Sequence, residues 1–232
     1  MESFNLSIRD LFRMTLTVNN GRDADLKEEE FEEVLRFWFS SLPTGDHAAM
    51  ARQLEWWFRG GADAEIIERF SPLFVRATKG ELDNWSQRPR SRLALIIVLD
   101  QFSRTLHRGT AQAFAQDPKA LRFALEGIEI GHYAALKTPW EKTFFFLPLG
   151  HSEELANLER AVDLAEELVK EAPQEHRDML EFSANQARGH RDVIARFGRH
   201  PHRNEVLGRQ SPPEEVDYLA TGQLVHTRPL PS

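Results

Sequence analysis

Apolar residues recur at helical intervals along nearly all of this 232-residue chain. No other feature constrains the fold as much, because a stripe repeating every three to four residues lines one face only on a helix. Phe31, Val34, Leu35, Trp38 and Phe39 form one such stripe, between an Asp25–Glu28 capping-box pattern and Pro43. Asp46 is placed to cap a second helix, which carries Met50, Leu54, Trp57 and Phe58 and stops at Gly60-Gly61. A third bears Ile66, Ile67, Phe70, Leu73, Phe74 and Ala77 and ends at Gly80; Pro72 inside it is expected to kink or split it.

The segment "SRLALIIVLDQFSRTLHRG" is apolar on all sides around Leu93 to Leu99, which places it at the centre of the fold. A β-strand is the rival for "LALIIVL", but Leu99, Phe102 and Leu106 continue at helical spacing and favour the helix. Further along, Asp117-Pro118 and Thr138-Pro139 with Glu141 are helix starts. Pro148 is expected to end a short helix and Ser152 to cap the next, which runs to Pro173. A long helix then carries Ser183, Ala187, His190, Ile194 and Phe197 on one face, with His190 assigned to the core. Ser211-Pro212-Pro213-Glu214 is a capping box before a last helix through Tyr218.

These add up to about nine helices joined by short connections, which makes neighbours antiparallel. The expectation is an all-α single domain, a stack of helical hairpins of α-solenoid type without a sharp internal repeat. It occupies 25–225, preceded by an arm over 1–24 that ends in the connector "VNNGRDAD" and followed by a tail over 226–232. Sixteen Phe and five Trp supply bulky, rigid volume for its core.

A net charge of −7 argues against nucleic acid as a main partner. The longest clean apolar run, Leu93 to Leu99, is too short to cross a bilayer, and no membrane partner is expected. Glu2, Arg9, Asp10 and Arg13 interrupt the first residues, so they do not read as a signal peptide. The absence of Cys excludes disulfides, thiolate metal sites and a Cys nucleophile, and accords with a cytoplasmic setting. No Gly-rich phosphate loop supports a nucleotide fold, and no cofactor is expected.

Three phrases, "DQFSRTLHRGTAQAFAQD", "FLPLGHSEELANLERA" and "HPHRNEVLGRQSPPEE", occur in this order behind "VLRFWF" and the Trp56-Trp57 pair. Together they resemble the bacterial family catalogued as Domain of Unknown Function 924, over roughly Leu26 to Gln223. The resemblance implies an all-α fold like that of tetratricopeptide-repeat proteins and brings no activity, substrate or cofactor. Thr105 stands where the family's phrase has Asn, and Pro212-Pro213 replace a Thr-led cap.

The same phrases hold the candidate site. Asp100, Arg104 and Arg108 share one helical stripe and make either an ion-pair ladder or a pair of guanidinium forks for a carboxylate or phosphate. His151 and Glu153 flank a helix entrance, where His151 is a candidate acid or base and Glu153 its orienting group. His202, Arg203 and Asn204 lie in a loop where six Arg from Arg188 to Arg209 face only Asp192 and Glu205. That reversal of charge in an acidic chain points to an anionic partner or to neutralisation of neighbouring acidic helices. His200-x-His202 lacks the companion spacing of a metal site, and none is expected.

The leading expectation is a cleft lined by Asp100, Arg104, Arg108, His151, Glu153, His202, Arg203 and Asn204 that binds a small anion or a peptide carboxylate. A hydrolase or transferase with His151 or His202 as base and Glu153 as its partner is the alternative. An interaction scaffold is the third. Oligomeric state is not legible.

Overall fold

The computed structural model describes residues 30–40 and 47–229. The arm over 1–24, the Asp25–Glu28 pattern, Pro43 and Asp46 lie outside them. Helix α1 covers 30–39. It is followed by α2 (His47–Phe58), α3 (Asp63–Glu65), α4 (Ser71–Thr78), α5 (Pro89–Ile97) and α6 (Ser103–Leu106). The second half holds α7 (Asp117–Glu129), α8 (Pro139–Gly150), α9 (Leu155–Glu171), α10 (Gln174–Phe197) and α11 (Pro213–Ala220). π-Helical turns over Ile66–Phe70 and Val98–Phe102 join α3 to α4 and α5 to α6, leaving nine helical rods among the described residues. None of these residues forms a β-strand, and no described helix is long and apolar enough to cross a membrane.

Leu93 to Leu99 are fully buried, as expected for the centre of the fold. The α5 rod packs on α7 and α8, α8 on α9, and α9 along the length of α10. Gly127 lets α7 approach: a Cβ there would lie 2.5 Å from Phe145 and 2.6 Å from Arg92. An aromatic cluster joins α1, α2 and α8, with ring centres 4.8 Å apart for Trp57–Phe144 and 5.4 Å for Trp38–Phe144.

The prolines and caps show where local pattern gave way. Pro72 splits its rod as expected: the helix widens to a π turn before it, and Pro72 sits in the first turn of α4, where a missing N–H leaves no helical bond unmade. The Thr138–Glu141 capping box forms, with Glu141 N donating to Thr138 Oγ1 at 3.1 Å. Pro148 does not end α8, which continues to Gly150; one lost hydrogen bond is tolerated in a turn whose neighbours Leu149 and Phe145 are fully buried. Ser152 is not the N-cap of α9. Glu154 takes that position, and Ser152 Oγ accepts its N–H from two residues away. Asp117 and the Ser211–Glu214 box do not cap their helices either, because Asp117 and Ser211 hold buried partners elsewhere.

Candidate functional site

The π turn in the central rod puts Asp100 and Gln101 on the inside of the fold. Asp100 is 1% exposed, and a charge so deep requires partners. Its Oδ1 lies 2.7 Å from His151 Nδ1, at the end of α8, and 3.8 Å from Arg104 Nη2. Its Oδ2 accepts from Gln101 Nε2 at 2.6 Å. Burial pushes the Asp100 carboxyl up, but the neighbouring His151, its hydrogen bond and Arg104 outweigh burial and hold it at about 2.

Arg104 continues the network outward. Its guanidinium lies 2.7 Å from Asp117 Oδ1 and donates to the Ala113 carbonyl. Arg203 reaches the other oxygen of Asp117 at 3.2 Å and the His151 carbonyl at 3.0 Å. Both guanidinium groups lie 4.6 Å from the centre of the Phe114 ring. Burial pushes the Asp117 carboxyl up; Arg104 opposes it and Asp100 adds to it. Burial lowers Arg203 to about 10, which leaves it charged at neutral pH.

The "HPHRN" loop folds down on the entrance of α9. Glu153 accepts the His200 N–H at 2.8 Å and two bonds from Arg209, at 2.7 and 3.0 Å. Burial raises the Glu153 carboxyl, and Arg209 with the His200 N–H turns the balance downward. His200 itself is fully buried, with Nε2 3.1 Å from the Ser152 carbonyl; burial, with Arg203 and the neighbouring His rings, drives its pKa far down. Asn204 donates to Ser211 Oγ at 2.9 Å and to Glu215 Oε2 at 2.6 Å. The His202 ring lies tilted beside that of His200, with centres 5.4 Å apart. Among the described residues no group of three or more His, Cys, Asp and Glu could hold a metal ion.

Beside this network lies a cavity of about 440 Å³ between α1, α2, the central rod, α8 and α10. Trp38, Trp57, Phe58, Trp140, Phe144 and Met179 make its apolar wall. Gln101, Arg104, Thr105, Arg108, His151 and His190 make a polar one, and Arg59 and Arg228 also line it. Among the described residues, four Arg and two His line the cavity, and no Asp or Glu does. Arg108 pairs with Asp63 at 2.6 Å, and Thr105 donates to the same carboxylate at 2.9 Å. Arg59 donates to the Arg228 carbonyl at 2.8 Å and Arg228 to the Asn185 carbonyl at 3.3 Å. Neither has a carboxylate partner among the described residues. Trp38 Nε1 and Gln186 Oε1, both buried, have no hydrogen-bond partner there either.

Of the eight residues expected at the site, Arg104, Arg108 and His151 line the cavity. Asp100 stands directly behind His151, while Glu153, Arg203 and Asn204 belong to the packed layer beneath. Glu153 contacts Arg209 and His200; it does not orient His151, and Asp100 does. His202 is outside the cavity lining. His190, assigned to the core by periodicity, lines the cavity. Sequence reasoning missed Arg59, Arg228, Trp38 and Gln101. The Trp56-Trp57 pair beside Arg59 signalled the aromatic wall, but nothing local marks the arginines that close over it from opposite ends of the chain.

An all-α protein with an aromatic cavity edged by arginine is the class that fold and site define. More narrowly, the chain belongs to the bacterial proteins of unknown function called DUF924, whose family model matches residues 34–223. It is similar to the solved structure of a protein of unknown function from Agrobacterium tumefaciens, at 35% identity over 84% of this chain and 99% of that one, with a TM-score of 0.65. No curated protein matches it.

Proposed function

We propose that the cavity binds a small amphipathic anion, with an apolar, planar body against the aromatic wall and a carboxylate or similar head at the arginines. The observation that carries this reading is the charge of the lining: among the described residues, four Arg, two His and no carboxylate, in a chain of net charge −7. Arg59 and Arg228 are the cations with charge to offer, because Arg104 and Arg108 already face Asp117 and Asp63. The volume falls within the about 300–1,000 Å³ of small-molecule sites. The Trp38 N–H and Gln186 carbonyl, without partners among the described residues, add one donor and one acceptor for the ligand to meet. An interaction scaffold would need a broad exposed aromatic groove, and most of this aromatic wall is buried. The hairpins, α9 with α10 above all, serve as a tetratricopeptide-like framework for the cavity, and the absence of Cys accords with a cytoplasmic setting.

Titration with 2-naphthoate, followed by tryptophan fluorescence, tests the proposal. Saturable quenching is expected, because three tryptophans line the cavity. Ala187→Trp, which fills the cavity, should abolish the quenching while the circular dichroism spectrum stays helical. Equal quenching in that variant would refute the site.

A further inference from the structure

We propose that His151 acts as a general base on water at the polar end of the cavity and hydrolyses neutral carboxylic esters of apolar acyl groups. The inference deepens the cavity assignment, since the acyl group must enter the same aromatic pocket.

The geometry supplies the base and its orientation. Asp100 is a positioning residue: fully enclosed, fixed by Gln101 on one oxygen and facing His151 Nδ1 with the other. An ionised carboxylate can only accept, so Nδ1 carries the ring proton and the neutral imidazole keeps its lone pair on Nε2. His151 lines the cavity, and Nε2 makes no hydrogen bond within the described residues. A buried carboxylate behind a histidine whose other nitrogen has no partner among the described residues fixes the tautomer that a base needs.

The surroundings set the reaction class. No described serine or threonine hydroxyl bonds to His151: Thr105 donates to Asp63, and Ser152 accepts from Glu154 N and Asn157. Water is therefore the nucleophile. His151 Nε2 takes one proton from water as the oxygen bonds to the ester carbonyl carbon. Collapse of the tetrahedral intermediate breaks the bond to the alcohol oxygen, which leaves with the proton His151 carried. Acid and alcohol are the products, and nothing is oxidised or reduced. A lone base without a covalent nucleophile contributes about 10²–10⁴-fold, which suits an ester better than an amide.

The test uses 4-nitrophenyl butyrate and the full chain. The wild type should hydrolyse it well above the buffer rate, and His151→Gln should lose about a hundredfold or more while its circular dichroism spectrum stays helical. Nitrogen-15 spectra should place the proton of the neutral His151 ring on Nδ1, and Asp100→Asn should disturb that placement and lower the rate. Three results overturn the proposal: a wild-type rate equal to buffer, an unchanged rate in His151→Gln, or a neutral ring protonated on Nε2. Absent 2-naphthoate binding with His151-dependent hydrolysis intact would instead sink the anion reading and leave this one standing.

Discussion

The loop over 198–210 and the wall of the cavity are made from the same residue types, arginine and histidine, and differ in what stands opposite them. In the loop each cation meets a carboxylate: Arg199 with Glu215 at 2.8 Å, Arg203 with Asp117 at 3.2 Å, Arg209 with Glu153 at 2.7 Å. His200 and Asn204 are buried and bonded to their neighbours. At the cavity, Arg59 and Arg228 meet carbonyl oxygens and no carboxylate among the described residues, and His151 is held on one nitrogen. A positive run in sequence therefore says little by itself. The carboxylate opposite decides between a tie and a site, and that partner comes from far along the chain.

The largest effect expected from this difference lies in the loop. Arg203→Ala should lower the unfolding free energy by about 3–5 kcal/mol, because it removes a buried guanidinium and leaves the half-buried Asp117 carboxylate short of a partner. Urea denaturation measures it, and a loss under about 1 kcal/mol, the scale of an exposed pair, would erase the distinction between the two regions.

A pH effect comes next. His200 is buried neutral, with its pKa driven below the ordinary 6.5, while the unfolded chain binds a proton there below that pH. Stability should therefore fall as pH drops below 6.5, by up to about 1.4 kcal/mol per unit. Asp100 acts in a separate window: held at about 2 against an ordinary 3.8, it contributes fully above pH 4 and is lost only as pH approaches 2. Urea midpoints at pH 7 and 5 should differ in the wild type and much less in His200→Asn. A wild-type midpoint that stays level would contradict the buried neutral ring.

The helical class was legible because periodicity is local, and both the Leu93–Leu99 centre and the Thr138 capping box stand where the pattern put them. The three polar phrases were expected to line one cleft, since each adjoins a core-packed helix end; Asp100, His151 and Arg203 share one network, but the loop over 198–210 is outside the cavity lining. What escaped is non-local. Asp117 and Ser211 have the grammar of caps, and only the folded chain shows that Arg104, Arg203 and Asn204 claim them. His190 has core spacing and faces a cavity that no periodicity can reveal. Arg59 and Arg228 meet across 169 positions, beyond the reach of any motif.

The smallest effect on stability should accompany the clearest effect on binding. Arg59→Ala with Arg228→Ala removes two exposed cations and should change the unfolding free energy by no more than about 0.5 kcal/mol each. The measurement that tests the account most directly is the affinity of this double variant for 2-naphthoate beside its stability. Binding weakened about tenfold, which corresponds to about 1.4 kcal/mol, with a fold as stable as the wild type is the predicted result. Unchanged affinity, or a fold that collapses with the arginines, would show that the cavity's positive edge is one more structural tie.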